Sequence, residues 1–428
     1  MKVLVIMRNA WDDTNAIGNT LSNFFRGVDD LEFAALYFRS SMPNNSLCKR
    51  YYRTSEVEIL RRWFQPAKIG KQFCLSDNAV GNEQIADGKN AVNEKKAIRM
   101  IQKHGIKLAY KISDYLWYSK KWINDNLDDF ITSFAPDLMV TFVKSSPQYY
   151  LTIRHLREKH RIPLFSWIAD DEYTELLKKN GHKEIYNLQY ILKESAMVRG
   201  CSEQLCAYYN AVFGCNAEPL YKSCDLSIPI NKKVNKPITI VYAGNLLYGR
   251  LEIISQIADI LETLFPNGTE VILEVYSNTA LLPTDEKKFF APKYCVRYMG
   301  RRDYGYIKER LASADIVLHV ESFERDQLLK TKYSFSTKII DCLQSGSVVL
   351  AVGPAEQASM AYISKIPGTC VINRQEELEV RLTELLQDTS GFVQRAEAIR
   401  RYAIQYHSPS VAAYNLREIM NKTIAGET

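Results

Sequence analysis

The sequence predicts an α/β protein built from two doubly wound domains. Three observations carry that expectation. Short, continuous apolar runs recur at 2–7, 138–143, 164–168, 238–243 and 348–352, and such runs mark strands buried on both faces of a parallel sheet. Segments with apolar residues at helical spacing stand between them, as in repeated strand–helix units. The rhythm breaks at 226–237, where prolines, lysines and asparagines stand without periodicity, as in a linker. A chain of 428 residues suffices for an ordinary domain on each side of it.

Composition narrows the class. With 46% hydrophobic and 24% charged residues and no low-complexity run, the chain reads as folded. It contains no stretch of about 18 apolar residues, so no membrane-spanning helix is expected. The first apolar run, 3–7, is too short for the core of a signal peptide. Nine cysteines without a Cys-x-x-Cys pair point to reduced thiols rather than disulfides or a cysteine zinc site. A cytoplasmic protein is therefore expected. The charge of +6 suits an anionic small substrate or an anionic membrane surface, and no feature calls for nucleic acid.

Strand 2–7 leads into a polar loop, 9–19, with Gly18 and Asn19, and then a helix over 20–27. A second strand follows at 33–38. The region 39–130 reads as a basic and aromatic helical insertion. Arg50, Arg53, Arg61, Arg62, Trp63, Phe64 and Lys68 fall in 49–71, a polar loop covers 76–93, and a helical region from 94 carries Tyr110, Tyr115, Trp117, Tyr118 and Trp122. Two readings stay open: a surface that docks on anionic membrane, or aromatics in the core beneath a solvated lysine face. The strand at 138–143, a helix at 148–159 and the strand at 164–168 restore the rhythm. The last strand ends in Asp170, Asp171 and Glu172, where ligands bind in open α/β sheets. Asp170 and Asp171 are candidates for chemistry or for capping the helix 173–179. A strand at 195–200 then precedes Cys201-Ser202-Glu203.

In the second half, strand 238–243 runs into Gly244-Asn245-Leu246-Leu247-Tyr248-Gly249-Arg250-Leu251. This approaches a phosphate-binding loop, but Arg250-Leu251 replaces the Lys-Ser/Thr that would supply a metal-binding hydroxyl. A phosphate-hydrolysing site is therefore excluded. An arginine at a helix start is unfavourable unless an anion is present; a surface arginine is the alternative. Strand 296–299 ends in Gly300-Arg301-Arg302. Strand 315–320 ends in His319-Val320-Glu321-Ser322-Phe323-Glu324. Ser334, Ser336 and Thr337 then precede a short helix, 338–344, with Ile339, Ile340 and Leu343 on its buried face, and Ser345-Gly346 closes it. Free N–H groups at such a helix start suit an anion; an ordinary helix–strand unit is the alternative. Helices follow at 376–386 and over 393–420, the latter broken at 407–409. No Gly-x-Gly-x-x-Gly follows the first strand, which argues against a dehydrogenase.

The segment 332–354 resembles the nucleotide-sugar site of GT-B glycosyltransferases, especially family 4. Its Ser-x-Ser-Thr-Lys-Ile form also resembles divergent bacterial transferases of surface-polysaccharide synthesis. In that resemblance Asp341 stands at the second Glu of the Glu-x7-Glu motif, which holds the donor ribose. Tyr333 replaces the first Glu, and Glu324 is the candidate substitute. Gly244-Asn245 and Arg250 fall on the family's Gly-Arg-Leu-x-x-x-Lys-Gly motif, with Asn245 for its Arg and Arg250 for its Lys. Asp170 falls at the position of the acceptor-side Asp, beside Ala169 in place of a histidine.

The resemblance implies two Rossmann-like domains facing a cleft, with residues 1–225 on the acceptor side, a linker at 226–237, residues 238–400 on the donor side, and a C-terminal helix, 401–428, returning to the first domain. It implies transfer of a sugar from a nucleoside-diphosphate sugar to a glycan or lipid-linked acceptor, with retention, possible contact with the inner membrane face, and no cofactor. With no Asp-x-Asp in the chain, no metal is expected. Donor-binding candidates are Gly18, Gly244, Asn245, Arg250, Arg301, Glu324, Ser336, Thr337, Lys338 and Asp341; catalytic candidates are Asp170 and Asp171. A nucleotide-sugar 2-epimerase and a non-catalytic subunit supporting a partner transferase share the pattern.

Overall fold

The computed structural model describes residues 1–75, 107–230, 233–281 and 293–427. The chain divides into two compact units, Met1–Leu220 with Ala413–Thr428, and Tyr221–Ala412. Each is an α/β unit built on a mainly parallel sheet.

The strands of the first unit are β1 (Lys2–Met7), β2 (Glu32–Tyr37), β3 (Arg50–Arg53), β4 (Lys71–Cys74), β5 (Leu138–Phe142), β6 (Leu164–Ile168), β7 (Met197–Gly200) and β8 (Glu218–Pro219). They run in the order β4-β3-β2-β1-β5-β6-β7-β8. All neighbours are parallel except β3 and β4. Val3 to Ile6 are fully buried at the centre, as their unbroken apolar run requires.

The first helix, Ala16–Phe25, begins before the expected position 20. The Asn15 side chain accepts a hydrogen bond from the Gly18 N–H at 2.8 Å and so caps a turn that lacks apolar periodicity. Gly18 lies within this helix. A β-carbon there would come within 2.1 Å of the Asp12 carbonyl oxygen, so close packing accounts for the glycine.

The described residues of 39–130 differ from the helical insertion expected of them. β3 and β4 extend the sheet. Tyr51 stacks on Phe73 across this pair, and the Arg50 guanidinium lies over the rings of Phe130 and Phe134. Four-residue strands bearing charge are normal near a sheet edge, and they carry too few apolar residues to be legible as strands. Trp117 and Trp122 are fully buried and pack edge-to-face against each other and Phe38. The core reading is right for these two residues. Phe64 and Tyr115 are exposed. The expected loop at 76–93 and the start of the helical region after it lie outside the described residues; the described helix is Lys107–Tyr118.

The helix expected over 148–159 is instead the helix Pro147–His155 followed by a π-helical turn, Leu156–His160. The last helix, Pro409–Ala425, belongs to the first unit from Ala413 onward. Its Leu416 lines a small apolar cavity with Leu21, Phe24, Phe25 and Trp167, and Arg417 donates to the Asp29 carbonyl oxygen.

The second unit contains β9 (Ile238–Ala243), β10 (Val271–Tyr276), β11 (Val296–Gly300), β12 (Ile316–Val320), β13 (Val348–Val352) and β14 (Cys370–Ile372), in the order β11-β10-β9-β12-β13-β14, all pairs parallel. Alternate residues of one strand enter different cores. Val348, Leu350 and Val352 pack on the face covered by the helices Arg250–Leu264 and Leu378–Gln387. Val349 and Ala351 pack on the face covered by Lys338–Gln344 and Phe392–His407. Both faces are dry, so the run has no polar position. Gly346 has φ +80°, and a β-carbon on it would lie 2.4 Å from the Pro229 carbonyl oxygen. The expected linker, 226–237, begins after the division at Leu220/Tyr221. Arg400 ties its start to the second unit through the carbonyl oxygens of Leu226 and Ile228, at 3.0 and 2.7 Å.

Candidate active site

The loop from Gly244 to Gly249 joins β9 to the helix Arg250–Leu264. Two backbone features shape it. The Gly244 N–H donates to the Tyr276 carbonyl oxygen, and Gly249 takes φ +72° with no room for a side chain, since a β-carbon would lie 2.3 Å from Ser322 Oγ. The side chain of Asn245 folds over the loop, its Oδ1 accepting from the Leu247 N–H at 3.2 Å and from Arg250 Nη1 at 2.8 Å.

Arg250 is fixed on every side. Its Nε donates to the Val320 carbonyl oxygen at 3.2 Å, and its Nη2 lies 3.0 and 2.9 Å from the two carboxylate oxygens of Glu321. Glu321 follows β12 and is 1% exposed. Burial opposes its charge, but His319 and Arg250 outweigh that and hold the carboxyl below its usual range. His319 Nε2 stands 3.4 Å from Glu321 Oε1 and has no hydrogen-bond partner among the described residues.

Lys338 opens the helix Lys338–Gln344. Its ammonium lies beside Gly244: a β-carbon there would be 2.7 Å from Nζ. No hydrogen bond or ion pair holds this group among the described residues. Burial first, and then the positive charge of Arg250, push it down to about 8. The carboxylates of Glu321 and Asp341 act on it in the opposite sense but do not outweigh the burial and Arg250.

One turn further on, Asp341 accepts from Tyr304 Oη at 2.9 Å and Gln344 Nε2 at 3.2 Å. Burial raises its carboxyl pKa, although Lys222, Tyr304 and Lys338 oppose the shift. Of the other candidates, Ser336 spends its N–H on Ser359 Oγ at 3.0 Å. That amide is engaged within the fold, not free as expected. Thr337 is exposed at the helix start and caps nothing with its side chain. Glu324 is exposed at the start of the helix Arg325–Thr331, and Arg301 is exposed after β11.

Gly244, Asn245, Arg250 and Lys338 thus come together, with Asp341 on the same short helix as Lys338. Sequence reasoning missed Glu321, His319 and Tyr304. A signal for the first two existed: polar residues at the end of a run whose other members are buried and apolar.

In the first unit Asp170 is exposed after β6, 4.0 Å from Lys144 Nζ. That lysine is held at 2.6 Å by Glu172, whose other oxygen accepts from the Ser145 N–H at 2.9 Å. Asp171 accepts from the Thr174 N–H at 3.2 Å and from Tyr209 Oη at 3.4 Å. The first of these bonds reaches the first turn of the helix Tyr173–Lys178, whose capping position is Glu172.

No family model and no curated protein matches the sequence. Solved structures do match. HepE of Anabaena, crystallised with UDP, is 12% identical with a TM-score of 0.62, over 98% of this chain and all of that one. Sucrose-phosphate synthase of Thermosynechococcus elongatus is 10% identical with a TM-score of 0.63, over 99% of this chain and all of that one. WaaG, a glycosyltransferase involved in lipopolysaccharide biosynthesis, is 13% identical with a TM-score of 0.56, over 97% and 99%. The chain therefore has the two-domain α/β fold that these proteins share, the GT-B fold.

Proposed function

We propose that the protein is a glycosyltransferase that takes a sugar from a nucleoside-diphosphate sugar. The observation that carries this reading is the ammonium of Lys338, held by no direct hydrogen bond or ion pair among the described residues, beside Gly244 and close enough to Arg250 to feel its charge. An unpaired, partly dehydrated cation is costly unless an anion completes it. A diphosphate fits, and its charge grows as the sugar leaves, so fixed cations stabilise the transition state more than the ground state. Arg250 is already oriented by Glu321, Asn245 and the Val320 carbonyl. The donor is bound by side-chain cations and needs no metal. The structures of HepE with UDP and with UDP-glucose, and of a trehalose-6-phosphate protein of E. coli with UDP-2-fluoro-glucose, support a uridine nucleotide as the first donor to try.

Asp341 takes the ribose in this reading, exchanging its bond from Tyr304 for bonds from the diol. Asp170 is the acceptor-side carboxylate, with Lys144 and Glu172 beside it. Transfer with retention to a glycan or lipid-linked glycan of a surface polysaccharide follows from the family resemblance. Phe64 is 93% exposed next to Arg61 and Arg62, and Tyr115, also exposed, stacks on Trp63. These residues suit peripheral contact with an anionic membrane on the cytoplasmic side. Among the described residues no helix is long and apolar enough to cross a membrane.

A thermal-shift panel of nucleosides, nucleoside diphosphates and nucleotide sugars tests the reading, since a ligand at 100 times its Kd stabilises by about 2.7 kcal/mol. Stabilisation by diphosphates and their sugars is expected. No shift with any of them sinks the proposal, and conversion of a donor without acceptor would favour an epimerase.

A further inference from the structure

We propose that Asp128, His155 and His160 form a binding site for one divalent transition metal ion of the zinc class, in the first unit and on residues that the donor reading does not use. Asp128 lies in the helix Asp125–Phe134, His155 ends the helix Pro147–His155, and His160 ends the π-helical turn Leu156–His160. Asp128 Oδ1 is 2.8 Å from His155 Nε2 and 2.7 Å from His160 Nε2. The three ligand atoms lie within 4.8 Å of one another.

The backbone explains how the two imidazoles meet. In an α-helix, residues five apart point about 140° away from each other, at 3.6 residues per turn. Closure from i to i+5 brings them back toward one face. Such turns are rare and occur frequently at functional sites. Here the turn places His155 and His160 on one carboxylate oxygen.

The donor set suits zinc: two imidazole nitrogens and one carboxylate oxygen, with water completing a tetrahedron. A neutral imidazole would move its proton from Nε2 to Nδ1, and a doubly protonated one would release a proton to solvent. The Nε2–Oδ1 separations of 2.8 and 2.7 Å would open by about 0.6 Å, to the edge of a tetrahedron with bonds of about 2.0–2.2 Å. An outer partner is already in place. Lys159 Nζ holds the other oxygen, Oδ2, at 2.8 Å and leaves Oδ1 for the metal. The three ligand side chains are 15–17% exposed, so an ion can reach them. Bound metal would clamp the helix Asp125–Phe134 to the π-helical turn.

The test is titration of the EDTA-stripped full chain with zinc chloride and with cobalt chloride. One equivalent of zinc is expected to bind and raise Tm, and cobalt is expected to give visible tetrahedral bands without a thiolate charge-transfer band. His155→Gln and His160→Gln should each weaken zinc by about 30-fold or more, and Lys159→Met by about 10-fold. Absence of stoichiometric binding, a thiolate band from the cysteines, or undiminished affinity in both histidine variants overturns the site and leaves a hydrogen-bond network. If one variant does not fold, the other together with the wild-type cobalt spectrum decides. None of these readouts depends on donor binding.

Discussion

The ammonium of Lys338 rests so close to Gly244 that a β-carbon on that glycine would lie 2.7 Å from it. A lysine at a helix start, beside a second cation, opposes the helix dipole and loses hydration. An anion in the loop would offset both costs.

Lys338 gives the site a pH signature. With its pKa pushed down to about 8, the free protein keeps this charge below that pH and loses it above. A bound diphosphate favours the protonated form and raises the pKa. Affinity for UDP should therefore be flat from pH 7 to about 8, then fall toward tenfold per unit up to the pKa of the complex. Calorimetry from pH 7 to 9.5 reads this directly. Lys338→Arg should bind at pH 7 and lose the decline; the same decline in that variant would assign it to another group.

Glu321 should matter for folding. It is buried, and it pairs with Arg250 at 2.9 Å. Glu321→Gln keeps the shape but strands the arginine, which should cost about 3–5 kcal/mol of unfolding free energy. The sign with pH is fixed by the lowered carboxyl. Its stabilisation is complete above the usual value of 4.5 and is lost as pH falls through the folded value. Denaturant unfolding of wild type and variant should thus converge as the pH is lowered below 4.5. A constant gap across that range would show that the charge is not what stabilises.

Asp341 is expected to hold the donor ribose. Asp341→Ala should lower kcat/KM by about 2–4 kcal/mol with a nucleotide-sugar donor. A 2′-deoxy donor should be poor for the wild type and lose little more in the variant. The cycle of the two changes measures the coupling. Tyr304→Phe is the control, because it removes only the bond that Tyr304 makes to Asp341 without donor. Additive losses would take Asp341 out of the ribose site.

Much of the second unit was legible because β10, β12 and β13 are buried on both faces. Ile238–Ala243 and Val348–Val352 match their apolar runs residue for residue. The loop after β9 was legible too, since Gly244, Gly249 and Arg250 are residue types that such a turn and an anion would demand. β3 and β4 were not, because Arg50–Arg53 and Lys71–Cys74 are four-residue segments that mix basic, polar and aromatic residues near an edge. Asp171 was ambiguous between chemistry and capping; its bond from the Thr174 N–H is a local matter that a sequence reports equally for both. Glu321 was hidden for a different reason. Its partner Arg250 is 71 residues away in sequence, and nothing in a linear pattern pairs them.

The most direct test compares UDP with uridine by calorimetry at pH 7 in EDTA, for the wild type, Arg250→Gln and Lys338→Met. The wild type should bind UDP far more tightly than uridine with no metal present. Each variant should lose about 1.5–3 kcal/mol of UDP binding and almost none of uridine binding. Equal losses for both ligands, or a wild type that binds UDP no better than uridine, would contradict a diphosphate held by Arg250 and Lys338.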